Sequence, residues 1–247
     1  MFSEQELRQY SRHIALEEID LEGQQKLAHA KVMIIGLGGL GSAASIYLAA
    51  SGIGKLTLVD HDTVALSNLQ RQILHSNKTL YTAKTESAQE HLALLNCNIA
   101  IETINEKLAG EKLDTLIGAH DLVLDCSDNF STRYAINASC VKHQTPLISG
   151  AAIRWQGQVA VFNQNPQAPC YACLYKTQAT TEDDCWQQGV LSPLVGVIGS
   201  LQAAETIKLL CGIEQPTQDL TLFDAKKLSF KAIKIAKDPN CEICCAN

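Results

Sequence analysis

Residues 31–41 read KVMIIGLGGLG: a short apolar run meets three glycines, Gly36, Gly38 and Gly41, in the spacing G-x-G-x-x-G. The apolar run predicts a buried strand, and LGSAASIYLAASG behind it, stopped by Gly52 and Gly54, predicts a helix. KLTLVD follows as a second strand, completing a βαβ unit of about 30 residues. In that context each glycine has its own role. Gly36 permits a tight turn, Gly38 lets phosphate approach the backbone, and Gly41 lets helix pack on strand, while the helix N-terminus offers N–H groups to an anion. Asp60 closes the second strand where a carboxylate can bond ribose hydroxyls. Glycines serving close packing alone are the plainer alternative. The fingerprint itself does not choose between NAD and ATP, since both present an adenosine ribose and phosphates.

Working outward, the same alternation repeats. Ser3-Glu-Gln-Glu6 has the form of a capping box, and Leu7, Tyr10 and Ile14 follow at helical spacing, predicting one leading helix. After the βαβ unit come a helix over 83–95, the strand IAIETINEKL, a helix near 111–119, the strand DLVLDC, a helix over 131–141 and the strand PLISGA. Strands alternating with helices predict a mostly parallel sheet with helices on both faces. From Gly157 onward GQVAVF, DLTLFD and FKAIKI alternate like antiparallel strands, interrupted by a long apolar helix over 193–210. The expected class is therefore α/β: a Rossmann-like, mostly parallel sheet continuing into an antiparallel extension. The polar segment from Lys176 to Gly189 is expected to be a mobile loop.

Composition narrows the function classes. With 247 residues, 46% of them apolar, the chain can bury a full core. Its 26 acidic against 20 basic residues, net charge −6, offer nucleic acid little attraction. The charged N-terminus has no secretory pattern, and the longest uncharged stretch, Gly189 to Ala204, is short of a bilayer span and contains Pro193 and Gln202. A cytoplasmic protein without membrane or nucleic-acid partners is expected.

Ten cysteines in a reducing compartment point to metal binding rather than disulfides. Cys170-Tyr-Ala-Cys173 and Cys241-Glu-Ile-Cys244 supply four thiolates, the set for a closed, structural, tetrahedral zinc site, with Cys245 a spare neighbour. A redox role fits less well, because neither pair lies in a strand-to-helix context. Cys97, Cys126, Cys140 and Cys211 read as buried small hydrophobes. His13 and His75 show no ligand spacing and read as surface or core residues.

HDTVALSNLQRQ, directly after Asp60, places Asn68 and Arg71 at the carboxyl edge of the sheet, and Lys84 starts the next helix. A hydride-transfer site needs an apolar nicotinamide pocket, whereas a triphosphate losing pyrophosphate needs fixed positive charge. Arg71 and Lys84 suit the second need; each alone reads better as a solvated surface charge, and their joint placement near the same loop brings the two readings level. Asp128 in DCSDN, near Asp125, reads either as a helix cap or as a hard oxygen ligand for a metal.

GLGGLG, LSNLQRQ, DCSDN followed by Arg133, CYAC and CEIC occur here in an order that resembles the adenylyltransferases activating ubiquitin-like sulfur carriers, relatives of the ubiquitin-activating enzymes. The resemblance runs from YSRHI at residues 10–14 to the C-terminal cysteines. SGAAIRWQGQVAVF looks more like the branch that activates the small subunit of molybdopterin synthase; GIEQPTQDLTLFDAKK is similar to the branch serving the thiamine-biosynthesis sulfur carrier. The molybdopterin branch is favoured. An NAD-dependent oxidoreductase and a nucleotide-binding scaffold without catalysis are the rivals.

The resemblance implies one adenylyltransferase domain over 1–247, with a helical arm (1–30), a nucleotide-binding part (31–155) and a carrier-binding, zinc-bearing part (156–247). It implies ATP on Gly38, Gly39, Asp60, Ser67, Asn68, Leu69, Gln70, Arg71 and Lys84, with Asp128 binding magnesium and Asn129 beside it. Arg12 would act as an arginine finger in the neighbouring subunit's site, which implies a homodimer. The implied partners are a carrier protein ending in Gly-Gly and a sulfurtransferase or cysteine desulfurase. Cys185 stands where some relatives carry a cysteine that bonds the activated carrier, yet Glu182, Asp183 and Asp184 disfavour its thiolate.

Overall fold

A computed structural model describes residues 2–176, 189–213 and 218–245. Its frame is one eight-stranded sheet in the order β3-β2-β1-β4-β5-β6-β7-β8. The strands are β1 (Lys31–Ile35), β2 (Lys55–Val59), β3 (Ala100–Ile104), β4 (Leu122–Asp125), β5 (Leu147–Ile153), β6 (Gln156–Phe162), β7 (Asp219–Asp224) and β8 (Ser229–Lys234). β3, β2, β1, β4 and β5 run parallel, and β6, β7 and β8 add antiparallel hairpins. The parallel sheet and its antiparallel extension are as the sequence predicts. Neighbouring β1 and β4 lead their chains away in opposite directions, which opens the crevice at their carboxyl ends where ligands bind in such sheets.

The helices are α1 (Glu4–Gln9), α2 (Ser11–Ile14), α3 (Asp20–His29), α4 (Gly39–Ala50), α5 (Lys84–Leu95), α6 (Gly110–Gly118), α7 (Phe130–His143), α8 (Tyr171–Leu174) and α9 (Ser192–Cys211). One face of the sheet buries Ile34, Leu56, Leu58 and Leu124 against Leu48 of α4, Leu92 of α5 and Ile198 of α9. The other buries Met33, Val123 and Leu147 against Leu113 and Ile117 of α6 and Ile136 of α7. Strands covered on both faces explain why β1, β2 and β4 read as continuous apolar runs.

Helix α9 is long and apolar enough to cross a bilayer, but here it packs on α4 and the sheet. Gly199 permits that approach, since a Cβ there would lie 2.3 Å from the Leu40 carbonyl oxygen. Its buried Gln202 donates to the carbonyls of Asp125 (3.0 Å) and Ile148 (3.2 Å), tying the helix to the end of β4 and the start of β5. Pro193 opens α9 and Gly212, in the left-handed region at φ 75°, closes it.

Two local expectations need correction. The Ser3 capping box forms, but the leading helix breaks at Tyr10 into α1 and α2. Tyr10 is buried, and its hydroxyl accepts from Asn96 Nδ2 at 2.9 Å; this anchor to a distant turn outweighs helical continuity. Cys97 is exposed in the turn after α5, unlike the buried Cys126, Cys140 and Cys211. Residues 177–188, expected as a mobile loop and containing Cys185, lie outside the described residues.

Candidate active site

The site grows from the β1–α4 turn. Gly36 adopts φ +96°, a left-handed conformation, and a Cβ there would meet the Cys126 carbonyl oxygen at 2.7 Å. A Cβ on Gly41 would sit 1.9 Å from the Gly36 carbonyl oxygen, so the glycine chiefly lets the helix fold back over its own turn. The nearest atom to a Cβ on Gly38 is Gln72 Nε2 at 3.6 Å, which leaves that backbone accessible from the crevice. The Asp60 carboxylate accepts from the Leu37 amide (2.7 Å) and from the Asp62 amide (2.9 Å), clamping the turn to the end of β2.

A cleft of about 900 Å³ opens here, and Gly38, Gly39, Asp60, Asn68, Gln70, Arg71, Lys84, Asp128 and Asn129 all line it. Ser67 and Leu69 do not line the cleft; the Ser67 carbonyl instead accepts from the Arg71 guanidinium at 3.3 Å. Lys84 is buried at the first position of α5, with Nζ 2.7 Å from Asp62 and 3.8 Å from Asp60. Arg12 stands exposed on α2 and takes no part in this chain's cleft lining.

The capping reading of Asp128 is overturned. Asn129 is the N-cap of α7, its side chain accepting from the Thr132 amide at 2.9 Å. Asp128 is thereby left exposed with its carboxylate free of that duty. Behind it, the buried Asp125 accepts from the Ser127 amide (3.0 Å) and from the hydroxyls of Ser127 (2.6 Å) and Ser149 (3.0 Å). The buried Arg133 donates to the carbonyls of Ser127 (2.6 Å) and Gly150 (3.2 Å). Burial alone would lower its pKa, but the nearby Asp125 and the Tyr171 hydroxyl raise it, so the guanidinium stays charged under the cleft floor.

In the sequence His75 reads only as a surface or core residue. It is buried, with Nε2 3.0 Å from the Leu37 carbonyl oxygen and Nδ1 2.9 Å from Ser87 Oγ. The carbonyl can only accept, so Nε2 carries a proton, while the Ser87 hydroxyl that Nδ1 contacts also bonds Thr79 Oγ1 at 2.8 Å. This side chain braces the glycine turn against α5, and only the tertiary fold brings those groups together. Burial, reinforced by the charge of Lys84, holds its pKa below the ordinary histidine value.

Cys170, Cys173, Cys241 and Cys244 place their sulfurs within 4.8 Å of one another, next to Tyr171 and Tyr175, which line the cleft. Neighbouring sulfurs are 3.6 Å (Cys170–Cys241), 3.5 Å (Cys173–Cys244) and 3.9 Å (Cys170–Cys173) apart. A tetrahedral site with zinc–sulfur bonds of about 2.3 Å requires sulfurs about 3.8 Å apart, so the donor set and spacing fit a four-thiolate ion. Cys245 lies outside this group, 3.9 Å from Cys244 and turned toward the Asp238 carbonyl.

The ThiF family matches residues 10–243, and the chain belongs to that family. It is 48% identical to the molybdopterin-synthase adenylyltransferase of Salmonella typhimurium over 243 residues, covering 98% of both chains. Identity to the sulfur carrier protein ThiS adenylyltransferase of Escherichia coli is 43% over 242 residues, covering 98% of this chain and 96% of that one. Among solved structures, E. coli MccB with ATP aligns with a TM-score of 0.76 at 25% identity, covering 91% of this chain and 69% of that one.

The depressed pKa of His75 makes a stability prediction. As pH falls, the unfolded chain binds the His75 proton before the folded chain does, so this contribution is present above about pH 6.5 and is lost below it. Urea unfolding between pH 7.5 and 5 should show stability declining by up to about 1.4 kcal/mol per pH unit from this site. The decline should be shallower in His75→Gln; an equal slope in both proteins would contradict the assignment.

Proposed function

We propose that this protein uses ATP and magnesium to adenylylate the C-terminal glycine carboxylate of a small ubiquitin-like sulfur-carrier protein, releasing pyrophosphate. The observation that carries this reading is the convergence of the glycine turn, Asp60, Asn68, Arg71, Lys84 and Asp128 on one cleft. The named activities of the two relatives and the ATP complex of MccB support it. Higher identity to the molybdopterin-synthase enzyme favours the small subunit of that synthase over the thiamine-biosynthesis carrier as substrate. An NAD-dependent oxidoreductase fits less well, because the cleft also gathers Arg71, Lys84 and Asp128, charges that suit a triphosphate and its metal and that a nicotinamide ring does not use.

The chemistry suits these residues. A C-terminal carboxylate, with a reference pKa of about 3.5, is already ionised at pH 7, so attack on the α-phosphorus needs no general base. Displacement forms the acyl–phosphate bond as the bond to pyrophosphate breaks, and the difficulty is electrostatic: one anion approaches another while charge builds on the leaving group. Arg71, Lys84 and the N–H groups at the start of α4 supply fixed positive potential. Asp128 would hold magnesium, whose charge offsets that of the departing pyrophosphate. Beyond the nucleotide end, the cleft continues along Gln156, Gly157 and Gln158 of β6 and Leu222 to Asp224 of β7, a path for an extended C-terminal tail.

Arg12, exposed outside its own cleft, would complete the partner's cleft in a homodimer. The four cysteines would hold a closed zinc that contributes folding energy rather than chemistry. Adenylylation needs no covalent step through Cys185. The reaction takes place in the cytoplasm, whose reducing conditions keep these thiolates available as ligands.

Exchange of labelled pyrophosphate into ATP tests the activity. It should require magnesium and a carrier ending in Gly-Gly, and Asp128→Ala, Lys84→Ala or Arg12→Ala should each reduce it by about 100-fold or more. No exchange with either class of carrier would overturn the reading. Metal analysis of the purified protein should find about one zinc per chain, as a single four-thiolate site demands. A fully folded, metal-free preparation would refute the zinc assignment.

A further inference from the structure

Helix α7 has buried polar side chains directed at both ends of the molecule's chemistry. Toward its start, Arg133 holds the Ser127 and Gly150 carbonyls, and the Asn129 cap fixes the chain immediately after Asp128. One turn further along the same face, Asn137 is fully buried. Its Oδ1 accepts from the Tyr171 amide at 2.8 Å and its Nδ2 faces Cys170 Sγ at 3.7 Å. Tyr171 lies between the paired ligands Cys170 and Cys173 on the short helix α8. The Tyr134 hydroxyl of α7 adds a bond to the Tyr175 carbonyl at 2.9 Å, and the Tyr134 and Tyr171 rings meet edge to face at 5.6 Å.

An unpaired amide in this interior would be costly, and both polar atoms of the Asn137 side chain are partnered: the oxygen accepts from a backbone N–H of the cysteine knuckle and the nitrogen offers a donor to the Cys170 sulfur. The eight residue steps from the Asn129 cap to Asn137 span about 12 Å of helix axis, a stiff connection. A displacement of the knuckle is thereby carried to the segment that bears Asp128.

We propose that Asn137 is a positioning residue that links the four-cysteine cluster to the Asp128 end of α7, so that metal loading at the cluster sets the geometry of the nucleotide site. This goes beyond a zinc that merely stabilises the fold. It rests on the zinc reading above, and the two fail separately: absence of metal from the wild-type protein defeats that reading, whereas the link has its own readout.

Amide hydrogen exchange tests the link, with the segment 126–130 as reporter and β1 as internal control. In the zinc-loaded protein, Asn137→Leu should accelerate exchange of 126–130 by about tenfold, the loss expected for one buried hydrogen-bonding link, with β1 unchanged. Stripping zinc from the wild type with a chelator should loosen the same segment, and stripping it from Asn137→Leu should add less, because the buried amide link is already cut and only the Tyr134 contacts remain. The magnesium concentration that half-saturates ATP binding should rise in parallel. Unchanged exchange at 126–130 in zinc-loaded Asn137→Leu overturns the proposal, as does equal loosening of both proteins on zinc removal. Should zinc removal expose β1 as well, the zinc-loaded comparison alone decides.

Discussion

The turn from β1 into α4 leaves no space for a side chain at Gly36 or Gly41: at Gly41 a Cβ would fall 1.9 Å from the Gly36 carbonyl oxygen. Everything at the site follows from that closure. It sets α4 close against the carboxyl end of β1, where the Leu37 amide reaches Asp60 and the Leu37 carbonyl reaches His75. Helix α4 in turn forms the bed for α9, whose Gln202 grips the end of β4 and the start of β5. The Asp125 to Asp128 segment is thus placed opposite the glycine turn by the same packing that builds the core.

The electrostatic arrangement has a consistent logic. The chain carries net charge −6, yet the cleft collects Arg71 and Lys84 beside the N-terminus of α4. Lys84 is held by Asp62 and Asp60 rather than left to solvent, so its position is fixed before any ligand arrives. Preorganised charge of this kind is what a reaction between anions requires, and it needs no base, nucleophile or acid from the protein.

Much of this is legible in the sequence because it is local. The βαβ unit, the parallel-then-antiparallel strand order and the paired cysteines are written in periodicity and spacing over a few residues. The order of elements alone puts Asn68, Arg71, Lys84 and Asp128 at the carboxyl edge. Resemblance to the sulfur-carrier adenylyltransferases supplies roles that spacing does not. Residues whose meaning depends on distant partners are illegible. His75, Asn137 and Gln202 look like ordinary polar positions until the fold sets Leu37, Tyr171 and Asp125 against them. The break at Tyr10 and the choice of Asn129 over Asp128 as cap belong to the same class, settled by a distant hydrogen bond and by the local path of the chain.

A glycine turn shared by many nucleotide sites here faces a triphosphate rather than a nicotinamide. Calorimetric titration tests it most directly, with ATP and magnesium in one experiment and NAD in the other. Saturable, magnesium-dependent ATP binding that Asp128→Ala weakens, with no saturable heat from NAD, is the expected result. Saturable NAD binding with no ATP binding in the presence of magnesium would contradict it.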